Sequence, residues 1–74
     1  VNVALFSFAA GEELSEHTAA MPVIVEALEG QLEITAEGRT VTLKPGGMVH
    51  FTTRLPHSVR AVEASKMALY MITA

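Results

Sequence analysis

The sequence predicts a small all-β barrel, and three observations predict it. Apolar residues recur with a period of two, turn-forming glycine and proline interrupt the chain at short intervals, and no segment repeats its apolar positions at helical spacing. Val3 to Phe8 is a β-prone run that ends at Ala10-Gly11. Met21 to Leu28 places Val23, Val25 and Ala27 on one face and Ile24, Glu26 and Leu28 on the other. Gly30 breaks the pattern, and Gln31 to Ala36 resumes it with Leu32 and Ile34 inward. Glu37-Gly38 suits a two-residue hairpin turn. Arg39 to Leu43 then alternates Val41 and Leu43 against Thr40 and Thr42.

Pro45-Gly46-Gly47 punctuates again before the short strand Met48 to Phe51. Thr52 to Pro56 reads as a loop. His57 to Glu63 sets His57, Val59 and Ala61 opposite Ser58, Arg60 and Val62. Met67 to Thr73 is apolar on both faces, as expected of a strand in a sheet centre or a subunit contact. Glu12 to Ala20 reads as a loop entering a strand. Seven strands are therefore expected, wrapped into one domain over residues 1–74.

Composition bounds the function. At 74 residues, a chain buries only about 60% of its unfolded surface. Domains this small need a staple, a metal or a partner subunit, and with no cysteine a homodimer is the expected remedy. The missing thiols also fit a reducing compartment, so the expected location is the cytoplasm. A net charge of −3, with Arg39, Lys44, Arg54, Arg60 and Lys66 scattered singly, argues against nucleic acid. No apolar run approaches the roughly 20 residues of a membrane span. Val1-Asn2-Val3 has no charged n-region and no initiator methionine. A processed methionine and missing upstream residues both remain open, and the second is expected.

Thiol nucleophiles, zinc knuckles, a nucleophile elbow, a P-loop, a dinucleotide fingerprint and H-E-x-x-H are all absent from the sequence. Three histidines remain, His17, His50 and His57, and imidazole is both the commonest metal ligand and the usual acid–base near neutral pH. His17 precedes the Met21 strand and His57 begins its own. Both belong to barrel mouths and to the inward parity, so one site shared by the two is expected. Val23, Val25, Ala27, Val41, Phe51 and Val59 are expected to wall an apolar pocket, with Arg54 at its rim to meet an anionic ligand.

Gly11-Glu12-Glu13-Leu14-Ser15-Glu16-His17, continuing to Leu28-Glu29-Gly30, resembles the first cupin motif. Leu43-Lys44-Pro45-Gly46-Gly47, followed by Leu55-Pro56-His57-Ser58-Val59, resembles the second. The resemblance covers Gly11 to about Ala61 and implies a double-stranded jelly-roll β-barrel. It implies that His17 and His57 are metal ligands. It also implies that Ala19 replaces a second histidine, that Val23 replaces the carboxylate, and that Gly47 replaces an acidic residue. The metal implied is divalent nickel, iron, manganese, zinc or copper, with a third ligand from His50, Glu16, upstream residues or a partner chain. Three functions follow as expectations: a metal- or small-molecule-binding barrel carrying His17 and His57, a metal-dependent oxygenase or isomerase, and a metal-free sensory or structural barrel.

Overall fold

The computed structural model describes residues 2–18, 21–52 and 55–72. Eight strands run in order: β1 Asn2–Phe8, β2 Glu13–His17, β3 Val23–Glu29, β4 Leu32–Ala36, β5 Arg39–Leu43, β6 Met48–Phe51, β7 His57–Ala61 and β8 Ser65–Met71. No helix occurs among the described residues. The additional strand is β2, where a loop was expected. Its one partly buried apolar residue, Leu14, packs on the core from between polar neighbours, and backbone pairing to β7 supplies what a weak apolar pattern does not.

The strands form two antiparallel sheets, ordered β1-β8-β3-β6 and β2-β7-β4-β5. The pairings nest, β4 with β5, β3 with β6, β2 with β7 and β1 with β8. The chain is thus one long hairpin rolled on itself, and the pairings β3·β8 and β4·β7 close the roll. This is the expected jelly roll. At the hairpin tip, Glu37 has φ 52° and Gly38 has φ 72°. Two successive positive φ angles define the type I′ turn whose twist matches the flanking strands. Ala36 pairs with Arg39 and Thr35 with Thr40, so the turn sets the register from which later pairings follow.

Alternation then decides the core. Val23, Val25 and Ala27 from β3, Leu32 and Ile34 from β4, and Val59 and Ala61 from β7 are buried together with Phe51 and Met67. Each fully buried aliphatic side chain contributes about 1.5–3 kcal/mol relative to exposure. Val41 departs from expectation. It pairs with buried Ile34, yet it lies on the edge strand β5 and remains 47% exposed. Among the described residues no strand lies beyond β5 in its sheet, so the barrel wall stops there.

A knot at Ser65 pins one end of the roll. Its buried hydroxyl accepts from the Gln31 amide at 3.0 Å and lies 2.7 Å from the Glu63 carbonyl and 3.1 Å from that of Gln31. Gly30 sits against this knot at φ +77°, and a Cβ there would collide with the Ala64 carbonyl and the Ser65 hydroxyl. Both the positive φ and the contact require glycine. Gly30→Ala is expected to cost at least about 2 kcal/mol, from left-handed strain plus displaced backbone. Urea unfolding measures it, and a loss below half that size contradicts the account.

On the outer face of the first sheet, Tyr70 donates a hydrogen bond to Glu26 Oε1 at 2.6 Å. The hydrogen bond to Glu26 raises the phenol pKa above 10.0, with desolvation and the carboxylate's charge adding to the shift. A raised folded-state pKa stabilises the neutral phenol, so this contribution is whole below pH 10 and is lost as pH rises above it. Tyr70→Phe is therefore expected to flatten stability against pH above 10. An unchanged slope in thermal melts at alkaline pH contradicts the pairing.

Candidate functional site

β7 holds the centre of the candidate site because it is paired on both sides, to β2 and to β4. Its alternation turns His57, Val59 and Ala61 into the barrel and Ser58 and Arg60 outward. His57 is 2% exposed, a rare environment for an imidazole. A ring stack and a hydrogen bond help to fix it. The ring stacks on Phe51 with centroids 4.4 Å apart and planes 7° apart. Nδ1 lies 3.0 Å from the Leu55 carbonyl oxygen. A carbonyl only accepts, so Nδ1 carries the hydrogen and donates to Leu55. A backbone carbonyl behind one ring nitrogen is also how ligating histidines are usually oriented.

His17 ends β2, where the register shifts between Leu14 and His17. The irregularity brings His17 directly opposite His57, backbone to backbone. Such partners have Cα atoms about 4.5–5.5 Å apart. Glu16 lies within the irregular stretch and is exposed. His50 is exposed, pairing with Ile24 on the outer side of β6, whereas its neighbour Phe51 pairs with Val23 and is buried. One residue of parity therefore separates His50 from the face that carries His57. Arg54 and Ala19 lie outside the described residues.

Val23, Val25 and Phe51 surround the barrel interior as close-packed core. A concavity of about 380 Å³ opens elsewhere, on the outer face of the second sheet, bordered by Glu13, Ser15, Glu33, Thr35, Ser58 and Arg60. Arg60 bridges the carboxylates of Glu33 at 3.2 Å and Glu13 at 3.9 Å there. The sheet itself stands between this concavity and His57. Sequence reasoning missed this face because β2 was read as a loop, although polar Glu13 and Ser15 flanking Leu14 carry a short alternating signal. It also missed the Phe51–His57 stack, which joins residues on successive strands across a loop.

Among the described residues, no three His, Cys, Asp or Glu side chains gather in a way that could hold a metal ion. The described site holds the His57 ring inside an apolar barrel, stacked on Phe51 and hydrogen-bonded through Nδ1 to the Leu55 carbonyl. Phe51→Ala is expected to cost about 3–5 kcal/mol, the usual range for an emptied aromatic site, and to release the His57 ring. Chemical denaturation with histidine ring NMR checks both. An unmoved His57 ring would contradict the role given to the stack.

The chain aligns at 29% identity and TM-score 0.92 with a conserved protein of unknown function from Streptococcus pyogenes, over 97% of this chain and 63% of the other. A cupin superfamily protein from Desulfitobacterium hafniense aligns at 26% identity and TM-score 0.89, over 96% and 66% respectively. The chain thus spans less than two thirds of the first relative's length and about two thirds of the second's. Salicylate 1,2-dioxygenase from Pseudoaminobacter salicylatoxidans shares the fold at TM-score 0.88 and 19% identity, over 93% of this chain and 19% of that one. A search of curated proteins finds no match. The cupin domain family matches residues 4–73, and the chain, a jelly roll of two antiparallel sheets, belongs to that family.

Proposed function

We propose that this chain is a cupin binding module whose ligand is a small, partly apolar molecule held through the His57 and His17 pair. The observation that carries the reading is the β2–β7 register, which sets the two histidines directly opposite each other. The Leu55 carbonyl supports it by accepting from Nδ1 and so fixing the orientation of the His57 ring. An imidazole hydrogen-bonds a ligand hydroxyl or amine, and the apolar surroundings of Val25, Phe51 and Val59 favour ligand carbon beside the ring. The absence of cysteine accords with a reducing, cytoplasmic setting.

A divalent metal is the group that cupin membership brings to mind, and the donor set fits it poorly. A catalytic site normally combines three protein ligands with an open position. Here Val23 stands at the carboxylate position of the motif, 1% exposed, and pairs with Phe51 and Met71. Two imidazoles are what remains, a set suited to weak association. No reaction step through a metal is therefore derived.

Titration calorimetry with zinc and nickel tests this. Weak binding that disappears in His57→Gln is expected. Stoichiometric metal that survives dialysis against chelator would contradict the proposal and favour the oxygenase or isomerase alternative. Val23→Glu provides the converse test. It places a carboxylate beside the pair, so the metal-free variant is expected to lose stability and to regain it with added zinc, raising zinc affinity at least tenfold. No gain in affinity would mean that the two histidines do not share a site with position 23.

A further inference from the structure

Two rows of polar side chains cross the outer face of the second sheet and build the concavity there. Glu13 on β2, Arg60 on β7, Glu33 on β4 and Thr42 on β5 are successive partners in the first row. Ser58, Thr35 and Thr40 are successive partners in the second. At the β2 end of that second row the ladder carries an extra residue. Leu14 pairs with Val59 and His17 with His57, so Ser15 and Glu16 together stand opposite Ser58 alone. A bulge of this kind bends its strand and re-aims a side chain, and Ser15 and Glu16 both border the concavity.

The lining has a definite chemistry. Three carboxylates, Glu13, Glu16 and Glu33, stand against one guanidinium, Arg60, which leaves a net charge of −2. Arg60 is already shared, with Nη1 3.2 Å from Glu33 and Nε 3.9 Å from Glu13. An anion would have to displace those carboxylates and face Glu16 as well. The Thr35 and Thr40 hydroxyls lie 3.0 Å apart, so one donates to the other and the second hydrogen is left for a third group. Ser58 adds a hydroxyl beside them.

We propose that this concavity is a second binding site, separate from the barrel interior, and that it takes a small polyol bearing a protonated amine, the chemistry of an amino sugar. The ammonium group answers the excess negative charge. The ligand hydroxyls donate to carboxylate oxygens and exchange hydrogen bonds with the Ser58, Thr35 and Thr40 row. An apolar ligand would strip water from that row and replace none of its hydrogen bonds. The volume of about 380 Å³ lies near the lower end of small-molecule sites, which suits one sugar ring rather than a longer chain. The Arg60 side chain is 51% exposed and that of Glu13 65%, so solvent and salt screen the attraction. Binding is therefore weak, in the millimolar range, and sensitive to ionic strength.

Backbone amide NMR of the chain during a glucosamine titration, at a pH that keeps the amine protonated, tests the proposal. Glucose supplies the hydroxyls without the charge, and methylammonium supplies the charge without the hydroxyls. Saturable shifts centred on Glu16, Thr35, Thr40 and Ser58 are expected, with affinity at least about fivefold lower for either half-ligand. Raising salt from about 0.03 to about 0.3 M should weaken glucosamine binding at least about threefold. Glu16→Gln should weaken it by about fivefold or more, and Thr35→Val by a similar factor. Glu63→Gln removes the same charge outside the concavity and should leave the affinity unchanged. Glu16, Thr35 and Glu63 are all exposed, so the variants keep the fold, which circular dichroism checks. No saturable shift up to about 50 mM ligand overturns the proposal. So does equal affinity for glucose or methylammonium, equal weakening by Glu63→Gln, an affinity untouched by both Glu16→Gln and Thr35→Val, or a response centred on His57.

Discussion

Two-sided pairing of β7 is the constraint on which the candidate site depends. Because β2 and β4 both fix its register, the strand cannot slip without turning Val59 and Ala61 to solvent and Arg60 into the core. A one-residue slip would bury a guanidinium and expose two core aliphatic residues, a penalty of several kcal/mol in a marginally stable domain. The imidazole of His57 is held inside the barrel by the same alternation that holds its aliphatic neighbours. The Leu55 carbonyl and the Phe51 ring then only need to orient it.

That register traces back to the hairpin tip at Glu37-Gly38, where two positive φ angles impose one pairing between β4 and β5. Each nested pairing carries the register outward until β1 meets β8. Such long-range pairing makes loop closure slow relative to helical folds, and most of the cost falls on the outermost strands. The Ser65–Gln31 knot and Gly30 tie down an end of the roll where alternation alone would not specify the chain path.

The fold was legible in the sequence wherever alternation was strong. Val23 to Leu28, Leu32 to Ala36 and His57 to Ala61 read correctly by face because their apolar residues are β-branched or aliphatic and their neighbours polar. β2 was not legible, since Glu13-Leu14-Ser15-Glu16-His17 offers a single apolar residue and is held by backbone pairing. Of the site, His57 could be assigned inward from its parity with Val59 and Ala61. Its carbonyl partner and stacking ring could not be, because Phe51 and Leu55 approach it only when β6 and β7 fold onto different sheets. His50 had no legible face in a four-residue strand, and pairing with Ile24 decides it. The exposure of Val41 depends on whether a strand lies beyond β5, which local pattern does not encode.

The most direct test of this account is the ring nitrogen spectrum of His57, read by long-range proton–nitrogen correlation NMR during a zinc titration. A hydrogen fixed on Nδ1 and a resonance of Nε2 that shifts with added metal are predicted, because the Leu55 carbonyl accepts from Nδ1 and His17 lies opposite His57 in register. A hydrogen on Nε2, or an Nε2 resonance indifferent to zinc, would contradict the claim that this imidazole is the polar contact of the barrel.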